Sequence, residues 1–98
     1  MDCHGFSVVV YLSMPIISKF FGIVITMYWD DHNPAHFHAK YGEYEAVVEI
    51  KSGIVSGKFP PRVLGLIQEW RILNEQALVE DWELCRKQEM PKQIKPLE

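Results

Sequence analysis

The sequence predicts an α+β domain in which two C-terminal helices cover one face of an antiparallel sheet of three to five strands. Three observations support this prediction: short β-prone segments in the first half, a hairpin with one polar and one apolar face, and helical apolar stripes after Pro60-Pro61. The chain has 98 residues and is 48% hydrophobic, which is enough for one core. We expect residues 1–13 to form an extension or extra strand and residues 14–98 to form the single domain.

Three strands are predicted outside the hairpin. Residues 16–21 are β-prone, Gly22 permits a turn, and residues 23–29 alternate between two faces. The alternation places Ile23, Ile25, Met27 and Trp29 on one face and Val24, Thr26 and Tyr28 on the other. Residues 54–56 could add a further short strand, and either this strand or the N-terminal one would leave a free sheet edge.

The hairpin is predicted to pair residues 36–40 with residues 43–50 around a Tyr41-Gly42 turn, because Gly42 can adopt the positive φ that a two-residue turn requires. In this register Lys40 faces Glu43, His38 faces Glu45, and Phe37 faces Ala46. No other register was expected to satisfy all three pairs. One face would carry His36, His38, Lys40, Glu43, Glu45 and Glu49, and the other Phe37, Ala39, Tyr44, Ala46, Val48 and Ile50.

Two helices are predicted after the sheet. Prolines are tolerated in the first turn of a helix, so Pro60-Pro61 could open the first one, and Asn74 could cap the second over residues 75–87. One kinked helix is an alternative. The apolar stripes are Val63, Leu64, Leu66, Ile67, Trp70 and Leu73, then Leu78, Val79, Trp82 and Cys85. We expect Val63, Ile67, Trp70, Leu78 and Trp82 to be buried and residues 90–98 to form an extended tail.

Composition excludes little about function. The net charge of −3 and pI of about 5.8 provide no global basic field for nucleic acid, although a local patch would suffice. The cysteines Cys3 and Cys85 lack metal-ligand spacing, which favours free thiols in a reducing cytoplasm. No apolar run has membrane-spanning length, and residues 1–13 lack the features of a signal peptide. We therefore expect a cytoplasmic location.

The chemistry is predicted to lie in residues 28–38, which contain three of the four histidines and two adjacent acids. His36 and His38 are two residues apart on a strand, so their side chains point the same way and could bind one divalent metal such as zinc. His32, or a carboxylate of Asp30, Asp31 or Glu45, could complete the ligands. Alternatively, the histidines are hydrogen-bonded sheet residues without a metal.

A second interpretation is metal-free cleavage of RNA. Glu45 would orient His38 as a general base, and His36 would act as the acid. Lys40 or Arg62 would stabilise the phosphorane charge. Tyr28, Trp29 or Tyr41 would stack a base.

A third interpretation is a protein-binding module, since aromatic side chains are favoured in interfaces. The exposed sheet face with Tyr41 and its acids would contact the partner. Candidate binding residues for either macromolecule are Tyr28, Trp29, Asp30, Asp31, His32, Asn33, Tyr41 and Arg62.

From residue 14 onward the chain resembles a small bacterial family described as domain of unknown function 4160. The resemblance is carried by residues 14–22 (MPIISKFFG), 27–39 (MYWDDHNPAHFHA), 41–46 (YGEYEA), Pro60-Pro61-Arg62, Glu69-Trp70 and Trp82-Glu83-Leu84. It implies one component of a two-gene, toxin–antitoxin-like module with a small protein partner, and no assigned activity. Residues 1–13 lie outside the pattern, and Asp81 and Arg71 stand where the family often has asparagine and alanine.

Overall fold

The computed structural model describes residues 15–29 and 31–98 and confirms the α+β architecture. The predicted extension, residues 1–13, lies outside the described residues. Within the described residues, five antiparallel strands form one sheet in sequence order. They are β1 (Ile16–Phe20), β2 (Ile23–Thr26), β3 (His36–Tyr41), β4 (Tyr44–Glu49) and β5 (Val55–Gly57), followed by helices α1 (Pro61–Leu73) and α2 (Glu75–Arg86).

The β1–β2 turn consists of Phe21 and Gly22, whose φ angles of 50° and 82° are the positive values that a tight hairpin favours. β2 ends at Thr26, three residues earlier than predicted, although the alternation of buried and partly exposed side chains continues to Met27. Ile23, Ile25 and Met27 are fully buried, whereas Tyr28 and Trp29 are partly exposed. The chain thus leaves the sheet as it enters the loop that precedes β3.

The predicted register of the β3–β4 hairpin is wrong by two residues. The two-residue turn is Gly42-Glu43, with Gly42 at φ 57° in its first position. Lys40 therefore faces Glu45, and His38 faces Val47. The observed register also pairs opposite charges and apolar side chains, so the charge pattern does not distinguish the two alignments.

The faces of the hairpin are nevertheless as predicted, because a shift of two residues returns every side chain to the same side. Phe37, Ala39 and Val48 are buried beneath the helices, and His38 lies on the opposite face. Tyr41 was expected on the histidine face and lies instead with the core residues, where its ring stacks with that of Tyr44 at a centroid distance of 6.5 Å.

Two separate helices close the core. All five helical residues expected to be buried are at most 3% exposed: Val63, Ile67, Trp70, Leu78 and Trp82. Leu73 was assigned to the stripe but is 68% exposed at the end of α1. Asn74 makes no side-chain cap for α2; its Nδ2 donates to the Trp70 carbonyl of α1 at 2.9 Å, and its backbone N–H donates to the same carbonyl at 3.1 Å.

Residues 90–98 have no regular secondary structure, and this predicted tail packs along β1. The Ile94 N–H donates to the Ile17 carbonyl at 2.8 Å, and the Ser18 hydroxyl donates to the Ile94 carbonyl at 3.0 Å. Trp70 Nε1 donates to the Lys95 carbonyl at 2.9 Å. The tail therefore covers the β1 edge that could otherwise pair with another strand.

Neither helix of the described part is long and apolar enough to cross a membrane.

Candidate metal centre

The site lies where the loop after β2 returns to the sheet. β3 begins at His36, and the preceding backbone folds so that Pro34 offers its carbonyl oxygen to the His36 ring. The distance from His36 Nδ1 to this oxygen is 2.7 Å, and a carbonyl oxygen can only accept. In a neutral His36 ring whose Nδ1 donates to this oxygen, Nε2 carries a lone pair.

Asp31 brings the two strand histidines together. Its Oδ2 is 2.8 Å from His36 Nε2 and 3.5 Å from His38 Nε2. One ligand atom from each of the three residues lies within 4.8 Å of the others. The three side chains are largely shielded, with 16%, 11% and 24% of Asp31, His36 and His38 exposed. Two imidazole nitrogens and one carboxylate oxygen thus converge on one point.

The hydrogen bonds require a cation at this point. Both ring nitrogens of His36 face oxygen acceptors, so a neutral ring, which has one N–H, would direct the lone pair of its other nitrogen at one of these oxygens. Burial raises the pKa of the Asp31 carboxyl, but the His32 N–H and the two histidine rings outweigh burial, and the pKa is lower than usual. Asp31 is therefore an anion. Either a proton on Nε2 or a metal ion must lie between His36 Nε2 and Asp31 Oδ2.

His38 is suited to be a neutral ligand. Burial lowers the pKa of its imidazole, although the Asp31 carboxylate acts in the opposite direction. The Tyr28 ring stacks on the imidazole at a centroid distance of 4.0 Å with the planes 7° apart. Burial, followed by the charges of Glu45 and Asp31, raises the pKa of the Tyr28 phenol, which therefore remains protonated at neutral pH.

Helix α2 also contributes to the site. The Trp82 indole contacts the His36 ring at a centroid distance of 5.1 Å, so His36 is enclosed at the sheet end rather than projecting freely. Sequence reasoning assigned Trp82 only to the core and did not find the Pro34 carbonyl. No sequence signal identifies either contact, since both depend on the path of the loop and the position of the helix.

The other predicted site residues are dispersed. His32 borders the cluster with Nδ1 3.4 Å from Asp31 Oδ1, and Asn33 is exposed in the same loop. Glu45 lies opposite Lys40 rather than His38. Tyr41 is at the far end of β3, Trp29 packs partly against the core, and Arg62 is exposed in the first turn of α1. Asp30 lies outside the described residues.

The cluster fits a transition metal in donor type and spacing. Zn²⁺ is bound by nitrogen and oxygen ligands at about 2.0–2.2 Å, so tetrahedral ligand atoms lie roughly 3.4 Å apart. Asp31 Oδ2 is 3.5 Å from His38 Nε2 and 2.8 Å from His36 Nε2, so of these two separations only the second must widen, and the two histidine nitrogens lie within 4.8 Å of each other. The Pro34 carbonyl supplies the acceptor that metal-bound histidines usually have for their other ring nitrogen.

Comparison with known proteins identifies the family but no activity. No curated protein and no solved structure matches the chain. The family model for domain of unknown function DUF4160 matches residues 22–83, which include β2 to β5, the His/Asp cluster, α1 and most of α2. The match covers more than half of the sequence, and the chain therefore belongs to the family described as domain of unknown function DUF4160.

Proposed function

We propose that the protein binds a divalent transition metal, with Zn²⁺ the best match, through Asp31 Oδ2, His36 Nε2 and His38 Nε2. One observation carries the proposal: both ring nitrogens of His36 lie against oxygen atoms, at 2.7 and 2.8 Å. A metal between Nε2 and the carboxylate converts a repulsive contact into two coordinate bonds. Imidazole and carboxylate are ordinary zinc ligands, and this set requires no cysteine.

Protonated His36 is the competing state. An imidazolium would account for the contacts to Pro34 and Asp31, and a neutral His38 would donate from Nε2 to the same Asp31 oxygen at 3.5 Å. The lowered pKa of His38 favours a neutral ring with a lone pair, which is the state that binds a metal. A metal uses all three donors at once.

Metal analysis of the purified protein tests the proposal. We expect about one equivalent of zinc in protein prepared without chelator, and its loss in Asp31→Asn and His38→Ala. Glu43→Gln is a matched control, because Glu43 is an exposed acid in the β3–β4 turn, away from the cluster. Folded wild-type protein that contains no zinc and does not bind added zinc would refute the proposal.

Endoribonuclease activity remains an alternative proposal with less geometric support. The His36 ring is shielded and engaged on both nitrogens, so it is poorly placed to protonate a leaving group. Glu45 faces Lys40 and does not face His38 as the mechanism assumed. Cleavage of RNA by metal-stripped protein, abolished in His38→Ala, would support this alternative over the metal site.

Partner binding within a toxin–antitoxin-like module is proposed from the family resemblance. The structural feature that favours a partner is the β5 edge of the sheet. Near it, Tyr44 at the start of β4 and Ile54 just before β5 are 47% and 59% exposed. A small protein from a neighbouring gene, or a second copy in a homodimer, could pair with this edge. Growth arrest on expression with rescue by the neighbouring gene product would test the module, and the mass in solution would test the homodimer.

A further inference from the structure

We infer that His32 is the fourth ligand of the metal held by Asp31, His36 and His38, an inference that rests on the proposed function. Structural zinc sites are almost always four-coordinate and tetrahedral. The cluster supplies three donor atoms, so one position must be filled by a further side chain or by an exogenous ligand.

His32 already lies beside this position. Its Nδ1 is 3.4 Å from Asp31 Oδ1, and its backbone N–H donates to the same oxygen at 3.0 Å. The other oxygen of that carboxylate contacts both strand histidines, and the His32 ring centroid is 6.4 Å from that of His36. A change in the side-chain rotamer would be needed to turn a ring nitrogen of His32 toward the metal, because its ring now contacts the outer oxygen of Asp31.

The His32 side chain is free to make this rotation. It is 91% exposed, so reorientation breaks no packing contact of the core. Binding would therefore cost mainly the conformational entropy of one side chain, which a metal–nitrogen bond exceeds.

Neighbouring groups offer weaker alternatives as the fourth ligand. Glu45 is exposed and lies opposite Lys40, and Glu49 accepts a hydrogen bond from Ser52 at 2.7 Å. The Tyr28 ring is stacked flat on His38, and its hydroxyl would have to ionise to compete with an imidazole nitrogen. His32 needs no ionisation, and no hydrogen bond between its ring and another described residue would be lost, only its 3.4 Å contact with Asp31 Oδ1.

With four protein ligands, the metal would cross-link the loop after β2 to strand β3 of the sheet. Asp31 and His32 belong to the loop after β2, and His36 and His38 belong to β3. Such a site is closed to exogenous ligands, unlike a catalytic site, which keeps one position open. Removal of His32 would create that open position.

Cobalt spectroscopy with exogenous imidazole tests the inference. Chelator-stripped full-length protein would be titrated with Co²⁺, and the visible absorption would be recorded before and after imidazole is added. The variants are His32→Ala, the matched loop control Asn33→Ala, and His38→Ala, which removes a ligand of the cluster. Asn33 is exposed in the same loop, so its substitution reports non-specific effects on loop conformation.

We expect wild type and Asn33→Ala to give the same four-coordinate spectrum, unaffected by imidazole. His32→Ala should bind Co²⁺ at least about tenfold more weakly, because the loss of a group that only orients a metal ligand already lowers metal affinity by about that factor. Added imidazole should restore the four-coordinate spectrum of His32→Ala. Equal affinities and spectra for wild type and His32→Ala, or equal responses to imidazole, would overturn the His32 inference and leave the three-ligand site intact. Failure of wild type to bind Co²⁺ or Zn²⁺ would overturn the proposed function as well.

Discussion

The rings of Tyr28 and His38 lie parallel, with centroids 4.0 Å apart and planes inclined by 7°. Tyr28 follows β2 and His38 belongs to β3, so the stack joins the chain entering the loop to the strand leaving it. A flat stack restricts rotation of the imidazole about χ2. It therefore helps to hold His38 Nε2 toward Asp31, although Tyr28 contributes no donor atom to the cluster.

Tyr28→Leu should weaken zinc binding by about tenfold, as is typical when a group that orients a ligand is lost. Tyr28→Phe keeps the aromatic face and should retain wild-type affinity. Competition with a chromophoric chelator would give both constants. Equal affinities for Tyr28→Leu and wild type would show that the stack does not position His38, whereas a large loss in Tyr28→Phe would assign the role to the hydroxyl.

Asp81 should make stability depend on pH. Asp81 is 2% exposed; Oδ1 accepts from the Lys92 backbone N–H at 2.9 Å, and Oδ2 has no hydrogen-bond partner among the described residues. Burial raises the pKa of Asp81 from 3.8 to about 6. The folded state therefore binds this proton more tightly than the unfolded state, so the contribution of Asp81 to stability decreases as pH rises from about 4 to about 6.

Asp81→Asn should consequently stabilise the protein at pH 7 by roughly 1–3 kcal/mol, because one pKa unit corresponds to about 1.4 kcal/mol. The amide oxygen can still accept from Lys92, and no charge is buried. Urea unfolding of both proteins at several pH values between 4 and 7 would measure the difference. Stability curves that remain parallel over this range would contradict the prediction.

Trp70→Ala should destabilise the fold by about 3–5 kcal/mol, which is the usual cost of deleting a large buried aromatic side chain. Trp70 is fully buried; its ring centroid is 5.5 Å from that of Phe37 and 5.3 Å from that of Phe20. Ile72→Ala is the matched control in α1, since Ile72 is 64% exposed and its truncation should change stability by no more than about 0.5 kcal/mol. Similar losses in the two variants by denaturant unfolding would show that α1 is rotated.

A chain beginning at Met14 should retain cooperative unfolding, because residues 1–13 precede the family resemblance. Thermal unfolding followed by circular dichroism would test this. A broad, non-cooperative transition in the shortened chain would show that the first residues belong to the domain.

The hairpin shows how far the sequence determines this fold. Period-two alternation predicts which side chains are buried, because the pleat assigns alternate residues to opposite faces. It does not determine whether Gly42 is the first or second residue of the turn, and both alignments give Lys40 an acidic partner and Phe37 an apolar one. The face was therefore predictable, whereas the register was not.

The site was predictable only in part for a related reason. The spacing of His36 and His38 along β3 predicts that the two imidazoles share a face. The convergence of Asp31 depends on the path of a loop without regular secondary structure, and the contact of Trp82 depends on how α2 packs. The predicted register placed Glu45 opposite His38, and Glu45 was therefore assigned as the carboxylate that orients His38. The error in register thus produced an error in the predicted site.

The most direct test of the metal site is the state of the histidine ring nitrogens, measured by long-range ¹H–¹⁵N NMR while zinc is added to chelator-stripped protein. We predict that at one equivalent the Nε2 signals of His36 and His38 shift to metal-bound values. The His36 Nδ1 should remain protonated, because it continues to donate to the Pro34 carbonyl. Ring nitrogen signals unchanged by excess zinc, with His36 protonated on both nitrogens, would contradict the metal site and leave an imidazolium paired with Asp31.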